Sequence, residues 1–245
     1  MKVSMKCGQC QRQDGKPSPY NFAVDIPERG WVEFTCDKGH RAAVIIQISK
    51  FEILSKMGVD AIAKGSYLEA VLSLAASLER LHEFFIEATF RKQGASRELF
   101  AEAWALMAKQ SERQLGAFVA AFLLANGKKP KLLPRNAVEL RNSIAHKGFF
   151  PTREESIEFG ESVFECAHSV LDVLHTAPYA EITNTLVSEH VVARANQAVE
   201  AGVPLPSTLW MATPLSLGAV EQSKDFRAYV SSQTDEIIRS EDYLF

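Results

Sequence analysis

Two groups of residues in this sequence have the types and spacing to do chemistry. The first group holds three thiols and an imidazole near the N-terminus: Cys7, Cys10, Cys36 and His40. The two thiols of the CxxC pair come first, and the segment CDKGH supplies the other two side chains. Three thiolates and one imidazole complete a tetrahedral zinc site with no open position for water. The pattern therefore predicts a structural zinc ion that stabilises a small module with little core of its own.

This arrangement resembles a zinc ribbon, and clustered cysteines in a chain without export signals favour metal ligation over disulfide bonds. The alternative is a set of free thiols beside an exposed histidine. Zinc alone does not fix a function, because ribbons bind nucleic acid, bind protein or only cap a domain. Nearby basic residues favour the first option without establishing it, namely Lys6, Arg12, Lys16, Lys38 and Arg41. The fourth cysteine, Cys166, lies in a helical pattern and is interpreted as a small buried hydrophobe.

The second group lies in the segment AVELRNSIAHKG, residues 137–148, which contains Arg141, Asn142 and His146. Asn142 and His146 are four residues apart on one helix face, so the amide can orient the imidazole. His146 falls in the last turn before Gly148, where the helix dipole favours positive charge, and an imidazole there suits proton transfer near neutral pH. Arg141 points well round the helix from His146. One site that uses both is easier to build from two protomers, which predicts a two-fold homodimer.

The RNSIAH segment resembles the signature of HEPN superfamily ribonucleases, in which an arginine and a polar residue precede a histidine near a helix end. The resemblance covers under half of the chain and includes a four-helix pattern over residues 66–176. It implies a metal-independent endoribonuclease with a composite cleft between protomers, in a toxin or antiviral defence setting. The RNA 2′-hydroxyl would attack phosphorus, with His146 as general acid or base, Arg141 on the phosphoryl oxygens and Asn142 orienting the histidine or the phosphate. The product would be a 2′,3′-cyclic phosphate, and DNA would not be cleaved.

Local basic residues around the motif helix are the predicted RNA contacts, because the net charge of the chain is only -3. They are Lys128, Lys129, Lys131, Arg135 and Lys147. A solvated loop is the alternative interpretation. A polar cluster on an earlier helix comprises Glu79, Arg80, His82 and Glu83, and its acidic members could face Arg141, although a solvated face is the commoner role. His168 and His175 are interpreted as packing or surface residues.

Two other functions remain open at this point. One is a non-catalytic HEPN-type module that binds RNA or protein, in which Arg141 pairs with Glu139 or Glu155 and His146 only caps the helix. The other is a regulator whose zinc ribbon touches DNA, against which the low overall charge counts. The predicted partners of the leading hypothesis are RNA, a second copy of the chain, and an inhibitory or regulatory protein.

The elements that must position these residues divide the sequence into three parts, and the predicted class is mainly α. Residues 1–49 carry three short β-rich segments, starting at Tyr20, Trp31 and Ala42, and form the zinc ribbon. Residues 50–178 form an antiparallel HEPN-like four-helix bundle, with capping boxes predicted at Ser66 and Thr152. Residues 179–245 form a C-terminal helical extension that contains an apolar, proline-interrupted segment, 203–217, and a last helix from Ala219.

Composition supports a soluble, cytoplasmic protein. With 245 residues, 47% of them hydrophobic, the chain can bury a sizeable core. The N-terminal segment has no apolar run typical of a signal peptide. The longest apolar stretch, residues 115–125, is too short to span a bilayer, so no membrane association is expected.

Overall fold

The structure is a computed structural model that describes residues 2–15, 22–204, 207–209, 211–218 and 224–242. The predicted strand start at Tyr20, the predicted helix start at Ala219 and the basic residue Lys16 lie outside the described residues. The chain divides into two compact units, which are Met1–Ile48 with Asn184–Met211, and Ser49–Thr183 with Ala212–Phe245. We call them the ribbon unit and the helical unit. The predicted C-terminal extension, residues 179–245, is therefore divided between them.

The ribbon unit consists of short strands and one short helix at its N-terminal end. Its first elements are β1 (Lys2–Met5), α1 (Gly8–Asp14), β2 (Phe22–Asp25), β3 (Trp31–Thr35) and β4 (Arg41–Ile46). β1 pairs antiparallel with β2, and β3 pairs antiparallel with β4 so that Trp31 lies opposite Ile45. A further strand, β5 (Ser207–Leu209), adds to β4 in parallel. The three predicted strands are present, whereas β1, α1 and β5 were not predicted.

Strand β4 is the centre of the ribbon unit, because both of its faces are buried. Successive strand residues point to opposite faces. Val44 packs on one side with the three N-terminal cysteines and Phe34. Ala43 and Ile45 pack on the other side with Trp31 and with Ala198 of helix α8 (Tyr179–Glu200). The first of these two clusters places an apolar wall directly behind the predicted metal ligands.

The helical unit is built around one long helix. Its elements are α2 (Lys50–Ala63), α3 (Tyr67–Lys92), α4 (Arg97–Met107), α5 (Ser111–Asn126), α6 (Arg135–Lys147), α7 (Arg153–Leu174) and α9 (Phe226–Asp242), and α8 begins in this unit. α3 packs against α2, α5, α6 and α7. The prediction of a mainly helical chain with a small N-terminal sheet is confirmed. No helix in the described ranges has the length and apolar character needed to cross a bilayer.

One predicted capping box is present and the other is absent. The backbone N–H of Thr152 donates to Oε2 of Glu155 at 2.7 Å, and the backbone N–H of Glu155 donates to Oγ1 of Thr152 at 3.2 Å. The side chain of Ser66 makes no such cap. Its backbone N–H bonds instead to the carbonyl of Ala61 at 2.8 Å, in a tight turn where Gly65 adopts a φ of 77°. This bond satisfies the N–H of Ser66 itself, so α3 begins without the side-chain cap that the sequence predicted.

Aromatic side chains fill the core of the helical unit. Phe85 of α3 lies 5.9 Å from Phe118 and 5.4 Å from Phe122 of α5, between ring centroids. On the other side, Phe226 of α9 lies 4.6 Å from Phe164 of α7. Burial of such rings dominates the energetics of a core of this kind. This packing fixes α3 and α5, which carry much of the groove described below.

Candidate functional site

The four predicted metal ligands lie together in the ribbon unit. One ligand atom from each of Cys7, Cys10, Cys36 and His40 can be chosen so that all lie within 4.8 Å of one another. Cys7 precedes α1, and its sulfur accepts the backbone N–H of Cys10 at 3.5 Å. Cys36 and His40 flank the turn between β3 and β4, where the backbone N–H of Cys36 donates to the carbonyl of His40 at 3.0 Å. A turn at Gly39, with a φ of 77°, closes this second pair.

The distances between these atoms suit a tetrahedral metal ion. Sγ of Cys10 lies 3.9 Å from Sγ of Cys36 and 3.4 Å from Nδ1 of His40. Sγ of Cys7 lies 3.8 Å from the same nitrogen. Metal–sulfur bonds of about 2.3 Å and metal–nitrogen bonds of about 2.0 Å in tetrahedral geometry separate ligand atoms by roughly 3.5–3.8 Å. The four residues could therefore hold a metal ion, with Nδ1 as the histidine donor.

The surroundings of the sulfurs are largely apolar, and they shift the pKa values of two of the thiols. Burial and the adjacent thiols of Cys7 and Cys36 together raise the pKa of Cys10 to about 11. Burial acts in the same direction on Cys36, but hydrogen bonds from the backbone N–H groups of His40 and Lys38 outweigh it and lower the pKa of that thiol. Metal binding releases the protons of such thiols. All four donors belong to the protein, so the site is suited to a structural role.

Arg141 lies on α6 and contacts α3 of the helical unit. Its Nη2 donates to Oε1 of Glu79 at 2.8 Å, and its Nη1 donates to Oδ1 of Asn142 at 3.0 Å. The alternative partners are engaged elsewhere: Glu139 pairs with Arg135 and Glu155 caps α7. An acidic residue of the earlier polar cluster therefore faces the motif arginine.

His146 does not share the contacts that join Arg141 and Asn142. It is exposed in the last turn of α6, before Gly148 ends the helix with a φ of 65°. Among the described residues no hydrogen bond or ion pair involves His146, and the side-chain Oδ1 of Asn142 accepts from Arg141. The structure thus does not bring Asn142 into the predicted contact with the imidazole. Asn142 instead helps to orient the guanidinium.

Arg141 and Asn142 line a groove of about 330 Å³ in the helical unit. The groove runs between α3, α5, α6 and the segment that precedes α6. Its lining residues are Ala75, Leu78, Glu79, His82, Ser111, Glu112, Gln114, Leu115, Leu132, Leu133, Val138, Arg141 and Asn142. We call it the arginine groove. His146 is not among its lining residues.

His82, on the wall of the arginine groove, is buried rather than solvated. Only 8% of its surface is exposed, and its ring stacks on Phe118 with a centroid distance of 3.7 Å. Burial lowers the pKa of His82 to about 3, so the ring is neutral. Its Nε2 has no hydrogen-bond partner among the described residues. The solvated-face interpretation of the polar cluster is therefore wrong for His82, while Arg80 and Glu83 pair with each other.

None of the predicted RNA-binding residues lines the arginine groove. Lys128, Lys129 and Lys131 line a second groove, of about 680 Å³, together with Lys92 and Asp172. Lys131 pairs with Glu165 at 2.7 Å and Arg135 pairs with Glu139 at the same distance, so two of the five cations are partly neutralised. Lys147 is exposed beside His146 at the end of α6. We call the second groove the lysine groove.

The remaining candidates have packing roles. Cys166 is buried, and burial raises the pKa of its thiol to about 11, which makes it a poor nucleophile. His168 is buried and meets the ring of Phe164 edge-on. The ring of His175 lies 3.2 Å from the carbonyl of Leu217. These contacts agree with the interpretation of all three as structural residues.

Sequence reasoning missed the groove residues contributed by α5, which are Ser111, Glu112, Gln114 and Leu115. Their types resemble those of any helix surface, and only the packing of α5 on α3 reveals their common location. Comparison of the chain with protein-family models, with curated proteins and with solved structures finds no match.

Proposed function

We propose that this protein is a metal-independent endoribonuclease of the HEPN type that acts as a homodimer. The observation that carries the proposal is the arrangement of Arg141, which is held by Glu79 at the edge of a groove while His146 lies exposed on the same helix. An oriented guanidinium and an imidazole with no competing partner are the two groups that cleavage through the 2′-hydroxyl needs.

The chemistry follows from these two side chains. The RNA 2′ oxygen forms a bond to the adjacent phosphorus, and the bond from phosphorus to the 5′ oxygen breaks. A base takes the 2′ proton and an acid gives a proton to the departing 5′ oxygen, and His146 performs one of these transfers. Arg141 retains N–H donors beyond the two bonded to Glu79 and Asn142, because a guanidinium has five. These donors stabilise the charge on the phosphoryl oxygens.

A second copy of the chain completes the site in this proposal. Residues five positions apart on a helix are separated by about 140° around the axis and about 7.5 Å along it. Arg141 and His146 of one chain therefore face different directions, and His146 is absent from the lining of the arginine groove. A two-fold axis near α6 brings Arg141 of one protomer to His146 of its partner.

The metal in this proposal is zinc, in a structural role. Thiolate-rich sets with one imidazole select zinc over harder cations such as magnesium. Cys7, Cys10, Cys36 and His40 would hold the ion and cross-link α1 to the β3–β4 turn within the ribbon unit. The ion would only hold these segments together, because RNA cleavage in this proposal needs only protein side chains.

Cleavage of a defined single-stranded RNA by zinc-loaded protein, with no other divalent cation added, tests the proposal. We expect His146→Ala and Arg141→Ala to lower the rate at least about 100-fold, the usual loss for an acid–base or charge-stabilising group. Arg97→Ala, which removes an exposed arginine on α4, is the matched control and should cleave normally. The product should carry a 2′,3′-cyclic phosphate, and RNA with a 2′-deoxy nucleotide at the cleavage position should stay intact. Equal rates for wild type and both site variants would rule the proposal out.

A non-catalytic RNA-binding module is the second candidate. It is favoured by one observation, that Asn142 contacts Arg141 and leaves His146 unsupported in the single chain. The same cleavage assay separates the two candidates when it is combined with a measurement of RNA affinity. Binding without cleavage, weakened by Arg141→Ala and unaffected by His146→Ala, would favour this second function.

A further inference from the structure

The walls of the arginine groove are apolar. Leu78, Leu115, Leu132, Leu133 and Val138 lie among the lining residues, and apolar atoms contribute most of the groove surface. Its volume of about 330 Å³ is in the range of small-molecule sites. A flat aromatic ring gains from such walls, whereas a phosphate loses its hydration there.

The charges in the groove also disfavour an anion. Its ionised residues are Glu79, Glu112 and Arg141, since His82 is neutral. Glu79 and Arg141 neutralise each other, which leaves the carboxylate of Glu112 in excess. The hydroxyl of Ser111 donates to Oε2 of this carboxylate at 3.5 Å. The occupant that suits this groove is a neutral ring with N–H donors on its edge.

We infer that the arginine groove binds a guanine base, with Glu112 as the acceptor for its Watson–Crick edge. Guanine presents two adjacent N–H donors, at N1 and N2, which a carboxylate accepts in a bidentate manner. Adenine, cytosine and uracil present a single donor beside an acceptor on that edge, and the acceptor would face the carboxylate unfavourably. The inference rests on the proposed function in one respect, that the base belongs to the nucleotide beside the cleaved linkage.

One further feature fits a base in this position. Arg141 uses one N–H for Glu79 and one for Asn142 and keeps the others. The guanidinium at the edge of the groove can therefore contact the phosphate of the same nucleotide whose base lies inside.

Binding of nucleosides, which have no cleavable linkage, tests the inference. Guanosine, adenosine, cytidine and uridine are titrated separately into wild-type protein and followed by ligand-observed NMR and calorimetry. We expect guanosine to bind at least about 10-fold more tightly than the other three, which corresponds to about 1.4 kcal/mol. Ribose 5-phosphate, which has the phosphate without the base, should not compete.

Two variants locate the site. Glu112→Gln should abolish the preference for guanosine, whereas Glu102→Gln, which changes an exposed acid on α4, should keep it. Val138→Trp should fill the groove from a partly exposed position and prevent binding of every nucleoside. A wild type without guanosine preference, or a Glu112→Gln variant that retains it, would overturn the inference and leave the nuclease proposal intact. Guanosine binding by a protein that does not cleave RNA would overturn the nuclease proposal alone.

Discussion

Arg141 donates from Nη2 to Oε1 of Glu79 at 2.8 Å, across 62 residues of chain. The ion pair joins α6 to α3, and the arginine also contacts the neighbouring Asn142. Both partners are partly exposed, with 32% of the Arg141 side chain and 41% of the Glu79 side chain accessible. A pair of this exposure contributes less than about 1 kcal/mol to folding stability. Its main effect is therefore to fix the direction of the guanidinium.

Substitution Glu79→Gln tests that role. We expect the RNA cleavage rate to fall about 10-fold or more, because the amide holds the guanidinium less firmly, while the free energy of unfolding changes by less than about 1 kcal/mol. Urea denaturation and initial cleavage rates measure the two effects. Glu139→Gln removes the partner of Arg135 on the exposed side of α6 and should alter neither quantity. A large loss of stability with unchanged cleavage would show that Glu79 is only structural.

The motif helix was predictable from local sequence, but the partner of its arginine was not. Pro134 before α6 and Gly148 after it are local signals for the bounds Arg135–Lys147 that the helix has in the structure. Both signals act within a few residues. The choice among Glu79, Glu139 and Glu155 as partner depends on how α6 packs against α3, and helical spacing contains no information on that packing.

In the ribbon unit too, features set by local sequence were predictable and long-range pairing was not. The cluster of four side chains that could hold a metal ion was predictable, because ligand type and spacing follow from tetrahedral coordination. Strand β5 could not be predicted, because it has only three residues, lies within the proline-interrupted segment and pairs with a strand about 160 positions earlier in the chain. Helix α1 was missed because its start depends on the sulfur of Cys7 accepting a backbone N–H, an unusual cap.

The proposed metal site predicts how the zinc content should differ among a series of variants. Wild-type protein should contain one zinc ion per chain, and Cys36→Ser should lose most of it. His40→Cys keeps four donors and should retain zinc, whereas His40→Ala should bind it more weakly. Elemental analysis and the visible spectrum of cobalt-substituted protein measure these outcomes. Cys166→Ser removes the cysteine outside the cluster and should change nothing, so loss of zinc in that variant would contradict the assignment.

Two glycines in helices should respond oppositely to replacement by alanine. A Cβ on Gly160 of α7 would clash with the ring of Phe226, so Gly160→Ala should destabilise the helical unit by about 1–3 kcal/mol. Gly116 of α5 has no atom within 4 Å of the added Cβ, and Gly116→Ala should stabilise by about 0.5–1 kcal/mol. Urea denaturation followed by circular dichroism gives both values. Equal effects of the two substitutions would contradict the packing of α9 on α7.

The buried His82 should make stability depend on pH. Burial lowers the pKa of His82 to about 3 in the folded state, whereas an unfolded histidine titrates near about 6.5. The unfolded chain therefore binds a proton that the folded chain does not, and stability falls as pH drops from about 6.5 toward 3. At pH 4.5 the loss from this residue is roughly 2–3 kcal/mol.

The substitution His82→Phe keeps a ring against Phe118 and removes the titrating group. We expect the variant to lose less stability than wild type between pH 7 and pH 4.5, by the amount that His82 contributes. Urea denaturation at several pH values gives the comparison. Parallel curves for wild type and His82→Phe would show that the imidazole is not buried in a neutral form.

A mixture of two inactive variants tests whether one site draws on two chains. Arg141→Ala and His146→Ala should each be inactive alone. In a mixed dimer of the two variants, one of the two composite sites contains both an intact arginine and an intact histidine. After subunit exchange at equal concentrations, roughly one quarter of all sites should be intact, so about that share of wild-type activity should return. Mixing Arg141→Ala with the double variant supplies no intact arginine and should restore nothing. A site shared between two chains would be rebuilt in every mixed dimer. If mass spectrometry shows mixed dimers and the first mixture still stays inactive, the arginine and histidine do not meet across the two-fold axis.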